Sequence, residues 1–163
     1  MLASNADQRV LGYLGRALSL ELSAVQLYMT QARLVDTWGL AEVSKQFSAE
    51  ADEEMTHAEK IISRMLALGV APNASQLRPV RLGQSLQQLL EHDYAFEMEL
   101  IGLYEDATRH CARVGDHDNR LLFEALLVDE QHHAASLQRW LQQLQPAANP
   151  VQTSRVTING ERR

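Results

Sequence analysis

The chain states one set of polar residues twice. Glu21, then Glu54 and His57, recur as Glu97, then Glu130 and His133, with 33 residues from the lone Glu to the paired Glu in each half and a constant offset of 76. Tyr28 and Tyr104 obey the same offset, each seven residues after its lone Glu. Residues three apart on an α-helix project from one face, so a Glu-x-x-His pair delivers a carboxylate and an imidazole to a single point. Strand side chains alternate between faces, and a sheet has no use for that spacing. The pattern therefore calls for four helices around a common axis and predicts two metal ions between them. One Glu-x-x-His would mean little in a chain this rich in Glu. Two copies, each preceded by a Glu at the same distance, carry the argument.

The apolar pattern agrees. Helices are expected at about 6–35, 41–68, 83–114 and 118–144, and the long periodic stretches contain no Pro. Leu14, Leu18, Val25 and Tyr28 form a stripe that includes Glu21. Phe47, Glu54, His57 and Ile61 form the second, Leu90, Asp93, Glu97, Ile101 and Tyr104 the third, and Phe123, Leu126, Glu130, His133 and Leu137 the fourth. All six candidate ligands thus face inward, where unpaired carboxylates cost several kcal/mol each and a pair of dications removes that cost. Glu54 and Glu130 are the expected bridges. Carboxylate and imidazole donors suit iron or manganese and leave positions open for oxygen or peroxide. A Glu from each of two helices with Glu-x-x-His from each of two others is the ligand plan of carboxylate-bridged di-iron and di-manganese bundles.

Turn residues order these helices. Asp36-Thr37-Trp38-Gly39 and Gly115-Asp116-His117-Asp118 make two short antiparallel hairpins, with Asp available to cap the fourth helix. Residues 69–82 are too long for a turn and suit a crossover along the bundle. The expectation is an all-α antiparallel four-helix bundle over residues 1–145, with one long crossover between the second and third helices, followed by a polar tail at 146–163.

Bulk properties narrow the function. A net charge of −6 without a basic cluster argues against nucleic acid, and an acidic shell attracts cations such as Fe(II). No basic-then-apolar signal opens the chain and no run reaches membrane-spanning length, so no membrane role is expected. Cys111 is the sole cysteine, read as a packed core residue in a cytoplasmic protein. His92, His110 and His117 match no ligand spacing, and His132 must point away from the site that His133 faces.

From Val10 to Leu144 the chain resembles bacterioferritin, the heme-containing branch of the ferritin family. The resemblance is carried by Glu21-Leu22, Gln26-Leu27-Tyr28, Trp38-Gly39-Leu40, residues 52–58 (Asp-Glu-Glu-Met-Thr-His-Ala) and residues 68–73 (Leu-Gly-Val-Ala-Pro-Asn). It implies a ferritin-like fold and a ferroxidase site with two iron ions per subunit, held by Glu21, Glu54, His57, Glu97, Glu130 and His133. It also implies oxidation of Fe(II) by oxygen or peroxide, Tyr28 as an electron-donating phenol, and storage of the ferric product in a hollow shell built from two-fold dimers. A heme b at the dimer interface, held by Met55 of each subunit, and a ferredoxin-like reductant belong to the same implication. The alternative is a ferritin-like di-metal oxidase or peroxidase that stores nothing.

Three departures from that family pattern stand out. Met29, Ser48 and Asp52 surround the heme position where bulky apolar groups are usual. Ala49 replaces an inner-surface His, with Glu50 and Glu53 still nearby. The tail breaks at Pro146 and Pro150 and, with β-branched residues and Gly160, has no helical stripe for the usual fifth helix. A full shell, a smaller shell and a dimer all remain open. Val156-Thr-Ile-Asn-Gly160 resembles the peptides that load ferritin-like cargo into encapsulin shells; a disordered terminus and an inter-subunit arm are the other readings of that segment.

Overall fold

Capping side chains and left-handed glycines mark several of the helix ends in this computed structural model, which describes residues 6–144. The Asp7 carboxylate accepts from the backbone N–H groups of Arg9 and Val10 at 2.9 and 3.0 Å and opens α1 (Gln8–Thr37). Gly39, at φ 78°, supplies the left-handed residue of the turn into α2 (Ala41–Ala67). Ser85 caps α3 (Leu86–Val114) by accepting from Gln88 N, while the Gln88 side chain accepts from Gln84 N at 2.8 Å. The left-handed Gly115 ends α3, and Asp116 then accepts from Asn119 N at 3.1 Å to start α4 (His117–Leu144). The third helix begins about one turn later than the apolar pattern alone suggests, because Ser85 and Gln88 cap it there.

Helix α1 packs mainly on α2, and α3 on α4. Polar contacts across the bundle fall in reverse order along partner helices: Glu21, Tyr28 and Gln31 of α1 meet Tyr104, Glu97 and Asp93 of α3. Likewise Glu54, His57 and Arg64 of α2 meet His133, Glu130 and Asn119 of α4. α1 and α3, and α2 and α4, are therefore antiparallel neighbours, and the expected antiparallel bundle with one crossover is the observed fold.

Residues 68–85 make the crossover. Ser19 and Ser23, one turn apart on α1, accept from Gln76 N and Arg78 N at 3.1 and 3.0 Å, and Arg78 pairs with Glu99 of α3. The segment is thus tied down across α1 and α3 rather than left as a loose linker.

Apolar layers close both ends of the bundle. One holds Tyr13, Leu14, Leu18, Tyr104, Phe123 and the buried Cys111, which fulfils its packing role. The other holds Tyr28, Phe47, Leu89, Leu90 and Leu137. No helix among the described residues is long and apolar enough to cross a membrane. Tail residues 146–163, and with them the readings of a missing fifth helix, an arm or a loading peptide, lie outside the described residues.

Candidate metal centre

Between the two apolar layers the bundle is polar. Glu21, Glu54, Glu97 and Glu130 are fully buried, and His57 and His133 retain only 3% and 8% exposure. The six predicted ligands converge in two overlapping groups, Glu21, Glu54, His57, Glu130 and Glu54, Glu97, Glu130, His133, in each of which one ligand atom per residue lies within 4.8 Å of the others. Glu54 and Glu130 are common to both groups, which is the position a bridging carboxylate needs. Each hairpin contributes one lone Glu and one His to a single group, while each bridging Glu serves both.

The contacts converge without pairing off. His57 Nδ1 stands 2.9 Å from Glu130 and 3.1 Å from Glu54; His133 Nδ1 stands 3.2 Å from each of the same two carboxylates. Yet His133 Nδ1, Glu54 Oε1, both Glu130 oxygens, Glu21 Oε2 and Glu97 Oε2 have no aligned hydrogen-bond partner. Buried polar atoms are nearly always satisfied, so this concentration of unmet oxygen and nitrogen around one point fits a central cation.

The outer nitrogens explain how the rings are held. His133 Nε2 lies 2.8 Å from Glu53 and 3.6 Å from Glu50, while His57 Nε2 lies 3.3 Å from Asp129, itself 3.6 Å from Lys60. An outer carboxylate that accepts a hydrogen bond from Nε2–H keeps the proton on that nitrogen and leaves the Nδ1 lone pair pointing at the site. Asp129 is absent from the sequence reading, although it lies 76 residues after Glu53 and each directly precedes a bridging Glu. The same offset would have found it.

Electrostatics follow from burial. Burial and the neighbouring charges of Glu54 and Glu130 push the carboxyls of Glu21 and Glu97 well above the usual range. Glu54 suffers the same burial, but its histidine partners outweigh it and hold the group at about 2. Burial alone would pull both imidazoles down; their carboxylate neighbours instead raise His57 to about 12 and His133 well above its ordinary value. Protons thus balance the acids of the metal-free site, and a dication entering it must displace them.

Each phenol reaches across to the lone glutamate of the other half. Tyr28 Oη donates to Glu97 Oε1 at 2.5 Å and Tyr104 Oη donates to Glu21 Oε1, so each phenol serves the glutamate of the other half. A further buried pair, with Gln31 Nε2 donating to Asp93 Oδ1 at 2.6 Å, lies one turn beyond Tyr28 and Glu97. Burial, and then the charge of Glu50, pushes Asp93 up to about 8 against the hydrogen bond from Gln31. The apolar pattern put Asp93 on the inward stripe, but nothing in the sequence pointed to Gln31 as its partner.

Met55 is set apart from this centre. It is 41% exposed on the outer face of α1 and α2, where it lines a hollow of about 270 Å³ with Met29, Ser48, Asp52 and Arg33. The three residues noted as departures thus share one surface depression with Met55. His132 is exposed, as its position next to His133 requires.

Residues 11–147 match the family model for a ferritin-like domain. Among similar proteins, the bacterioferritin of Rhodobacter capsulatus is 41% identical over 81% of this chain and 82% of its own length. The bacterioferritin of Brucella melitensis is 35% identical over 83% and 84%. A solved structure of the Rhodobacter capsulatus protein superposes with a TM-score of 0.82 at 39% identity, covering 85% of this chain and 86% of that one. That structure is described as having a metal-free dinuclear site and heme iron in a crystallographic special position.

Proposed function

Because this chain belongs to the bacterioferritins of the ferritin family, we propose that it oxidises Fe(II) at the buried centre, with oxygen or peroxide as oxidant, and retains the ferric product as stored iron in the bacterial cytoplasm. The observation that carries this reading is the pair of overlapping ligand groups sharing Glu54 and Glu130. Iron is the substrate. One Fe(II) is held by Glu21 and His57, the other by Glu97 and His133, and the two shared carboxylates bridge them. Four carboxylates and two neutral imidazoles balance two dications, which makes the loaded site neutral where the empty one needs protons. Oxidation to Fe(III) breaks that balance and favours release of the product with hydroxide or oxide. Tyr28, aimed at Glu97, supplies an electron to the oxygen species that is being reduced.

The heme reading rests on Met55. Met55, a thioether exposed on an outer helix face beside a hollow that Met29 also lines, would hold a heme together with the same residue of a second copy of the chain. Heme b bound there would supply one-electron transfer, as in returning stored iron to Fe(II) with electrons from a ferredoxin-like partner. The assembly is a homo-oligomer built on that two-fold contact.

Aerobic addition of Fe(II) to metal-free protein tests the centre. Rapid absorbance growth and many irons retained per chain are expected; two per chain would indicate an oxidase that stores nothing. The Glu54→Ala/Glu130→Ala variant is expected to keep its helical circular dichroism and lose the fast phase. An undiminished fast phase there would remove the site assignment. For heme, Met55→Leu is expected to purify without it and Met55→His to keep it with a changed spectrum. Equal heme content in wild type and Met55→Leu would exclude this ligand.

A further inference from the structure

The equivalence of Tyr28 and Tyr104 extends beyond their hydrogen bonds. The Tyr28 ring lies 6.2 Å from Phe47 at 35°, and the Tyr104 ring lies 6.0 Å from Phe123 at 34°; Phe47 and Phe123 are themselves 76 residues apart. Both phenols are buried, and each donates to the lone glutamate of the opposite half. Each also heads an aromatic chain leading away from the centre. From Tyr28 it runs through Phe47 to Trp140 at 5.8 Å; from Tyr104 it runs through Phe123 to Tyr13 at 6.4 Å. Simple packing would be served equally by Phe at either position. A phenol pointed at a candidate iron ligand on both sides duplicates a chemical group.

We infer that Tyr104 is a second one-electron donor to the dinuclear site, equivalent to Tyr28, so that a single site reduces one dioxygen completely to water. The inference rests on the ferroxidase reading above. Dioxygen takes up four electrons and four protons to give two waters. Two Fe(II) ions supply two electrons, and Tyr28 and Tyr104 supply one each. Each phenol also gives up its hydroxyl proton along the bond to Glu97 or Glu21, and two further protons come from solvent. The products are two Fe(III), two waters and two phenoxyl radicals, with the O–O bond broken and no peroxide released. Each radical returns to phenol by taking an electron from a further Fe(II) and a proton from water.

The test mixes oxygen with protein loaded anaerobically with two Fe(II) per chain, then measures radical by electron paramagnetic resonance and peroxide by a coupled assay. Tyr104→Phe and Tyr28→Phe each leave three of the four electrons at the site, so the fourth is drawn from Fe(II) held in another chain, and each variant is expected to give about half the wild-type radical because one of the two donors is gone. The double variant should give no radical and one peroxide per dioxygen. Co(II) binding, which a redox role does not enter, should be the same in all four proteins. A ring-fluorinated tyrosine at position 104 keeps the hydroxyl and should add fluorine hyperfine splitting to part of the signal; it decides the matter if Tyr104→Phe does not fold. Full radical yield without peroxide in Tyr104→Phe, or an unsplit signal from the fluorinated protein, overturns the role of Tyr104 and leaves the ferroxidase intact. A wild type that oxidises no Fe(II) overturns both.

Discussion

The α1–α2 hairpin and the α3–α4 hairpin supply the same candidate ligands and phenols to the centre, yet they differ in the residues one layer further out. Where α4 places Asp129 against His57, Lys60 stands beside that acid; where α2 places Glu53 against His133, the neighbour is a second acid, Glu50. Beside Tyr28 lies the buried Gln31–Asp93 pair, while the equivalent positions around Tyr104, Ala107 and Ala17, are buried alanines. Met55 on the outer face has Gln131 as its counterpart. The lesson is that duplication holds among the candidate ligands and phenols and lapses where the two sides meet different surroundings. The His133 side is the more acidic of the two, and its outer acid Glu53 is more exposed than Asp129 on the His57 side, 62% against 41%.

The largest expected effect separates the two ions. His57→Ala and His133→Ala should each reduce Co(II) binding from two ions per chain to one and each abolish fast oxidation, because the reaction needs both metals. If either variant keeps two tight sites, the assignment of one histidine to each ion is broken. Next in size is stability, through a pair present on only one side. Asp93 has its folded value raised to about 8 from 3.8. The folded chain therefore holds a proton that the unfolded chain has lost, and the stability this represents is complete below about pH 4 and lost as pH rises through 8, at up to about 1.4 kcal/mol per unit. Asp93→Asn should flatten that decline. Denaturant unfolding of the metal-free protein at pH 5 and pH 9 checks it, and equal slopes in wild type and variant would refute the argument.

Smaller effects sharpen the outer layer. Asp129→Asn should weaken the ion at His57 by roughly 10–100-fold, as loss of an orienting partner does. Glu53→Gln should cost less at His133, because Glu50 lies 3.6 Å from the same nitrogen and can replace it. Co(II) titrations that reverse this order would remove the distinction between the two sides. Smallest of all, Lys60→Ala should change affinity by less than about threefold, since Lys60 and Asp129 form a solvent-exposed pair that water already screens. A tenfold loss there would mean that Lys60 matters more to the centre than an exposed pair can.

Much of the centre was legible because helical spacing is local. Glu54 and His57, or Glu130 and His133, need only one turn of helix to share a face, and the 76-residue offset then matched the halves without knowledge of how they pack. The apolar stripes likewise placed Glu21, Asp93 and Glu97 inward. Asp129 escaped notice because it belongs to no stripe, being 41% exposed in its side chain; only its contact with His57 gives it a role. Gln31 was missed because an isolated amide on a helix signals nothing until its partner is known.

By itself the sequence determined four helices, two hairpins, a crossover and six inward-facing donors, because periodicity and turn chemistry act over a few residues. The tertiary structure decided who meets whom. Tyr28 reaches Glu97 rather than Glu21 because α1 and α3 run antiparallel, so that a residue two turns along one helix falls level with the glutamate of the other. The same antiparallel pairing of α1 with α3 sets Gln31 against Asp93, and that of α2 with α4 sets Glu53 against His133. Those partners are 62 to 80 residues apart in the chain. Such pairs depend on the register in which side chains of two helices interlock, and that register is a property of the packed core rather than of any one helix.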